Sequence, residues 1–148
     1  SILLTIINIF ILKYRYIFLY LNVDNNLDIE GLDYLQWSLF DSPDEIGSGY
    51  KFMERQPVYI LDKIVKKTRR NFDILLGYTS PSYANKLSLA SNNSHRIGRA
   101  IKLRVLNPKK RMDLIRLLIL EGVSRIAVSN DVVYYDTDDL KERGLYLW

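Results

Sequence analysis

Between Ile101 and Asp136 the spacing of apolar residues changes period twice, and few folds accommodate that order. Ile101, Leu103 and Val105 alternate with Lys102 and Arg104, the period of a strand with one buried face. Pro108 then opens a stretch to about Glu121 in which Met112, Leu114, Ile115, Leu117, Leu118 and Leu120 fit a helix and are expected to be mostly buried, with Gly122 as its stop. Residues 125–128 and 132–136, separated by Ser129-Asn130-Asp131, read as a hairpin. Upstream, Pro57 suits the first turn of a helix running to about Arg70, with Ile60, Leu61, Ile64 and Val65 on one face. Phe72 to Gly77 reads as a strand, and the polar segment from Tyr78 to Ser94 as a long loop. The order helix, strand, long loop, strand, helix, hairpin predicts an α+β domain: a small, mainly antiparallel sheet with helices packed on it.

The chain of 148 residues suits one such domain. It has no cysteine, which excludes a disulfide scaffold, a thiolate zinc site and a cysteine nucleophile together. With His95 as its single histidine, it cannot build a His-rich metal site. Charge is uneven. Residues 1–50 balance to −5 and the remainder to +9, giving the net +4. The bases cluster in sequence: Lys63, Lys66, Lys67, Arg69 and Arg70 on the first helix, then Lys102, Arg104, Lys109, Lys110 and Arg111. Such a cluster is either a solvated surface or a contact for an anionic partner such as nucleic acid.

Residues 1–39 divide into an apolar head and an acidic, Asn-rich linker. Ile2 to Leu12 is nearly all apolar, and after Lys13-Tyr14-Arg15 the pattern resumes as YIFLYL. Two cations in mid-run are costly in a membrane span, and a signal peptide would place its cations before the apolar run. A segment this apolar needs cover. A protein partner is the leading expectation for residues 1–22. Contact with a membrane, or packing on the chain's own domain, are the alternatives.

From Phe40 to Trp148 four phrases follow in order: FDSPDEIGSG at 40–49, GYTSP at 77–81, NSHRIGRAIK at 93–102 and EGVSRIAVSNDVVYYDTD at 121–138. In order and spacing they resemble the zinc D-Ala-D-Ala carboxypeptidase type of peptidoglycan peptidase, which includes phage lysis enzymes. The resemblance implies a hedgehog/D,D-peptidase-like domain over residues 40–148. In that family a first His and an Asp come from S-x-H-x-x-G-x-A-x-D, and a second His from the last hairpin. These three hold zinc, which leaves one place for a water it acidifies. Carried over, the first ligand is His95, the Asp position is Lys102 and the second His position is Tyr134. The substrate-binding Arg of S-G-Y-R becomes Thr79, the Ser before the first His becomes Asn93, and two loop glycines become Ser88 and Leu89. Gly77, Tyr78, Pro81, Gly98, Ala100, Asp136 and Thr137 are kept.

Residues that shape the backbone persist here while residues that carry chemistry are replaced. The resemblance therefore implies a pseudoenzyme with no cofactor, no metal and no small-molecule substrate. His95 is expected to be structural and bonded to Asp136 or Tyr134, and Asp131 to serve a turn. The leading functional expectation is a structural subunit of a larger assembly, in a virion or an organelle, joined through residues 1–22. A non-hydrolytic peptide- or glycan-binding module and a nucleic-acid-contacting subunit are the alternatives.

Overall fold

The computed structural model describes residues 31–148, of which Leu32–Trp148 form one compact unit. The sheet has five strands: β1 (Asp73–Leu76), β2 (Ala100–Arg104), β3 (Arg125–Val128), β4 (Val132–Asp136) and β5 (Gly144–Leu147). They lie in the order β1-β2-β4-β3-β5. Three pairings are antiparallel and the last, β3 with β5, is parallel, so the sheet is mixed. Sequence patterning gave no sign of β5, a four-residue strand that follows an irregular connection.

Among the described residues four helices accompany it: α1 (Ser48–Phe52), α2 (Arg55–Thr68), α3 (Pro81–Lys86) and α4 (Pro108–Leu120). The two long ones behave as their prolines suggest. Pro57 falls in the first turn of α2, and Pro108 opens α4 with the Asn107 side chain accepting the Lys110 N–H at 3.0 Å. Helix α3 corrects the expectation of an unbroken loop. Ser80 caps it by accepting the Tyr83 N–H at 3.1 Å, and Pro81 follows as its first residue. That Ser-Pro pair was a readable start signal.

Strand alternation sorts the side chains into two faces. Ile101, Leu103, Val105, Ile126, Val133 and Tyr135 join Val58, Leu61, Ile64, Leu114 and Leu118 in one core under α2 and α4. On the other face Lys102 stands directly across from Tyr134, and Asp136 lies between Ala100 and Arg125. The sequence boundary at Phe40 falls inside the compact unit. Residues 33–35 are strapped to α2 by the buried Asp62, whose carboxylate accepts the backbone N–H groups of Asp33, Tyr34 and Leu35 at 2.8–2.9 Å. Trp37 is then buried in the core. The apolar head and the expected linker from Asn22 to Glu30 lie outside the described residues.

Candidate functional site

The open face of the sheet is framed by two of the phrases read from sequence. Asp41 accepts the N–H groups of Gly47 and Gly49 at 2.9 and 2.7 Å, closing residues 41–49 into a tight loop. That loop is pinned to residues 77–81. The Tyr78 N–H donates to the Phe40 carbonyl at 3.0 Å, the Ser80 N–H to Ser42 Oγ at 3.0 Å, and Ser80 Oγ to the Asp44 carboxylate. Gly77 is required here, because a Cβ would stand 2.7 Å from Phe40 Cα. Gly98 is required twice over: its φ is +69°, and a Cβ would collide with the Phe52 carbonyl.

These contacts position His95. It sits on a single 3-10 turn, Ser94–Ile97, whose first N–H groups are capped by Asn93: the His95 N–H donates to Asn93 Oδ1 at 3.0 Å. The imidazole is buried, with Nδ1 2.7 Å from the Gly77 carbonyl. A carbonyl only accepts, so Nδ1 carries the proton and Nε2 keeps its lone pair. Burial, opposed by the Gly77 hydrogen bond and assisted by the Lys102 charge, pushes the His95 pKa down to about 4. The ring is neutral at pH 7.

Tyr134 approaches His95 edge-on, with ring centroids 5.5 Å apart. Its hydroxyl donates to Asp136 Oδ2 at 2.5 Å, and burial followed by that carboxylate raises its pKa. The structure thus brings His95, Lys102, Tyr134 and Asp136 together on the open face. His95 bonds to the Gly77 carbonyl rather than to Asp136 or Tyr134. Asp136 is fully buried and paired with Arg125 Nε at 2.9 Å, and it also accepts the Asp138 N–H.

Thr79 and Asn93 are adjacent to His95 but turned to backbone work. The Thr79 N–H donates to the His95 carbonyl at 3.1 Å, and its fully buried hydroxyl has no hydrogen-bond partner. Asp131 lies in the β3–β4 connection, where its carbonyl accepts the Val105 N–H.

Sequence reasoning missed the network beside this cluster. Ser94 Oγ donates to Asp138 Oδ2 at 2.9 Å, and Lys141 Nζ donates to Ser94 Oγ at 2.8 Å. Arg99 bridges Glu54 at 2.7 Å and Asp139 at 3.1 Å. Burial alone would raise the Asp138 pKa, but the Ser94 hydroxyl, the Leu140 N–H and the Lys141 and Arg99 charges hold it below the ordinary value. A polar cleft of about 330 Å³ opens here, walled by Arg99, Arg125, Asp136, Asp138 and Lys141. His95, Lys102 and Tyr134 do not line it.

The basic residues grouped from sequence do not make one surface. Lys102 and Arg104 point to the open face, where Arg104 meets Asp73 at 3.7 Å; the others belong to the helix layer. There Lys63 pairs with Glu121 at 2.8 Å, Lys66 with Asp33 at 3.1 Å and Arg70 with Asp113 at 3.3 Å. Arg69 donates to the Tyr34 hydroxyl, and Arg111 to the Val105 carbonyl. Lys67, Lys109 and Lys110 are exposed.

Among the described residues no group of three or more His, Cys, Asp or Glu is placed to hold a metal ion. No helix among them is long and apolar enough to cross a membrane. No family model, curated protein or solved structure matches the chain.

Proposed function

We propose that this is a D,D-carboxypeptidase-like domain, of the hedgehog type, which has lost its metal chemistry and serves as a structural subunit of a larger assembly. The observation that carries the reading is the meeting of His95, Lys102 and Tyr134. They come from a 3-10 turn and two strands, yet share one patch of the open face, as metal ligands must. His95 also has one ring nitrogen held by a backbone carbonyl, as metal-binding histidines commonly do.

The residues present do not fit zinc. A lysine offers a cation where an anionic ligand is needed, and repels a divalent ion by several kcal/mol in a half-buried setting. Tyr134 holds its proton firmly against Asp136 and offers a weak ligand at neutral pH. The substrate-side positions are spent as well: Thr79 is buried, and Asn93 caps a turn.

The assembly role rests on the head, whose apolar side chains need cover. A chain beginning at Gly31 retains the strap on Asp62. It is expected to fold and stay soluble, yet fail to enter its assembly.

The deciding experiment is metal analysis. The native chain is expected to hold no stoichiometric zinc and to release no D-Ala from peptidoglycan peptides. One tightly held zinc per chain would end the pseudoenzyme reading. The double variant Lys102→Asp, Tyr134→His should acquire a metal site measurable by calorimetry, and activity would further need Thr79→Arg and Asn93→Ser. A double variant that folds but binds no zinc removes the positional basis of the proposal.

A further inference from the structure

Helix α4 carries more apolar side chains than its own domain covers. Met112, Leu114, Ile115, Leu117, Leu118 and Leu120 were expected to be mostly buried, yet only Leu114 and Leu118 are fully so. Met112 is 65% exposed, Ile119 56% and Leu120 71%. At about 100° per residue these three fall in one sector with Lys109 and Arg116, opposite Leu114 and Leu118. Lys109, Met112, Arg116 and Ile119 repeat at the three-four spacing of a helix-pairing seam.

The charges along this face are arranged oddly for a lone helix. Lys109 and Lys110 sit in the first turn, the positive end of the helix dipole, and no base stands in the last turn, which is followed by Glu121. The lysines are unfavourable at that end, and at the other end Glu121 is offset by Lys63 of α2 at 2.8 Å rather than by a base on α4 itself. The first turn becomes favourable when a second α4 lies alongside in the opposite direction, its negative end against these lysines. Asp113 and Arg116 flank the helix midpoint, bonded to each other at 3.2 Å within one copy. A two-fold axis near residue 114 brings Arg116 of each copy next to Asp113 of the other, since an isologous contact repeats every pair twice.

We propose that the outward face of α4 is a self-association surface, on which α4 of a second copy packs antiparallel across a two-fold axis at the helix midpoint. This inference stands on exposure and charge order alone and is independent of the peptidase resemblance. A helix of 13 residues spans about 20 Å, and a pair of them buries less than the roughly 800 Å² per partner of a standard interface, so the contact is weak and strengthens with local concentration.

The absence of cysteine makes the test clean, since any introduced thiol is the sole one. Full-length Lys109→Cys and Ile119→Cys chains are oxidised mildly in a non-ionic detergent, each alone and then mixed. Antiparallel pairing brings position 109 of one copy near 119 of the other, so the mixture forms a covalent dimer of twice 17.4 kDa. Each variant alone should form about tenfold less, and adding Met112→Glu to both should lower the mixed product by about tenfold. All three sites are exposed, so unchanged circular dichroism is expected to accompany the loss. Same-position cross-linking in either single variant overturns the antiparallel arrangement. A mixture that remains monomeric, as when this face docks a different protein, overturns self-association. Equal cross-linking through Lys67→Cys on α2 traces the association to another surface and overturns it too.

Discussion

Tyr134 and Tyr135 are neighbours in sequence and opposites in environment. Tyr135 is fully buried beneath α2, its hydroxyl donating to the Pro57 carbonyl at 2.7 Å. Tyr134 stands on the open face among His95, Lys102 and Asp136. Their surroundings differ in what they ask of a sequence. The helix side needs apolar volume, which many residues supply. The open side is made of fixed pairs, Arg125 with Asp136 and His95 with Gly77, each of which depends on one atom meeting another. The comparison also divides the open face itself: Asp136 is bonded on all sides like a structural anchor, whereas Lys102 and His95 sit close together without a hydrogen bond between them.

The largest effect is expected at that anchor. Asp136→Ala leaves the Arg125 guanidinium and the Tyr134 hydroxyl without their carboxylate, and breaking a buried pair on one side costs about 3–5 kcal/mol. Urea unfolding measures it. A loss below about 1 kcal/mol would mean that water readily replaces the carboxylate, and that the open face contributes little to stability.

On the helix side, Leu103→Ala removes a fully buried side chain and should cost about 2–5 kcal/mol. Its sequence neighbour Lys102 points the other way. If the two substitutions Leu103→Ala and Lys102→Ala cost the same, the contrast between the faces fails.

A pH effect of slightly smaller size isolates His95. Its folded pKa of about 4 lies below the ordinary 6.5, so the folded state binds fewer protons than the unfolded chain between those values. The stability it supports is complete above pH 6.5 and is lost as pH falls toward 4, by about 3 kcal/mol. The difference in unfolding free energy between the native chain and His95→Phe, followed from pH 7 to 4, removes the contribution of shared carboxylates. A difference that stays flat over that range contradicts a buried, neutral imidazole.

Much of the layered fold was legible because its signals are local. Pro108 after Asn107, and the alternation from Ile101 to Val105, each act within a few residues. Helix α3 escaped because six residues with only Ala84 buried leave no apolar period, although Ser80-Pro81 announced its start. Strand β5 escaped because it pairs in parallel with β3 across an intervening β4 and an irregular segment, and nothing local encodes that choice. The burial of α4 was misread because apolar residues that occur on opposite sides of a helix do not say which side its domain covers. At the candidate site, the nearness of Lys102 to Tyr134 follows from the β2–β4 register, and sequence gave it only through the family resemblance. The Arg125–Asp136 pair is a cross-strand neighbour in a hairpin and was within reach of register reasoning. The cleft beside it, drawn from α2, β3 and the segment after β4, was not.

The smallest effect expected is the most direct probe of the electrostatics of the open face. Lys102→Met removes a cation that lowers the His95 pKa while keeping the aliphatic stem, and no hydrogen bond links the two residues. Unfolding free energy at pH 7 should therefore change by less than about 1 kcal/mol, since no paired charge is broken. The His95 pKa should nevertheless rise, because one of the causes holding it down has gone. It should remain below 6.5, because burial is the larger cause and is untouched. His95 is the chain's single histidine, so its ring proton resonances can be followed through a pH titration without ambiguity. An unchanged His95 titration places the Lys102 ammonium away from the imidazole and removes the electrostatic link between them. A rise well short of 6.5 with stability unchanged leaves Lys102 as a residue that tunes the patch electrostatically without holding the fold together, which is what the proposed loss of metal chemistry predicts for it.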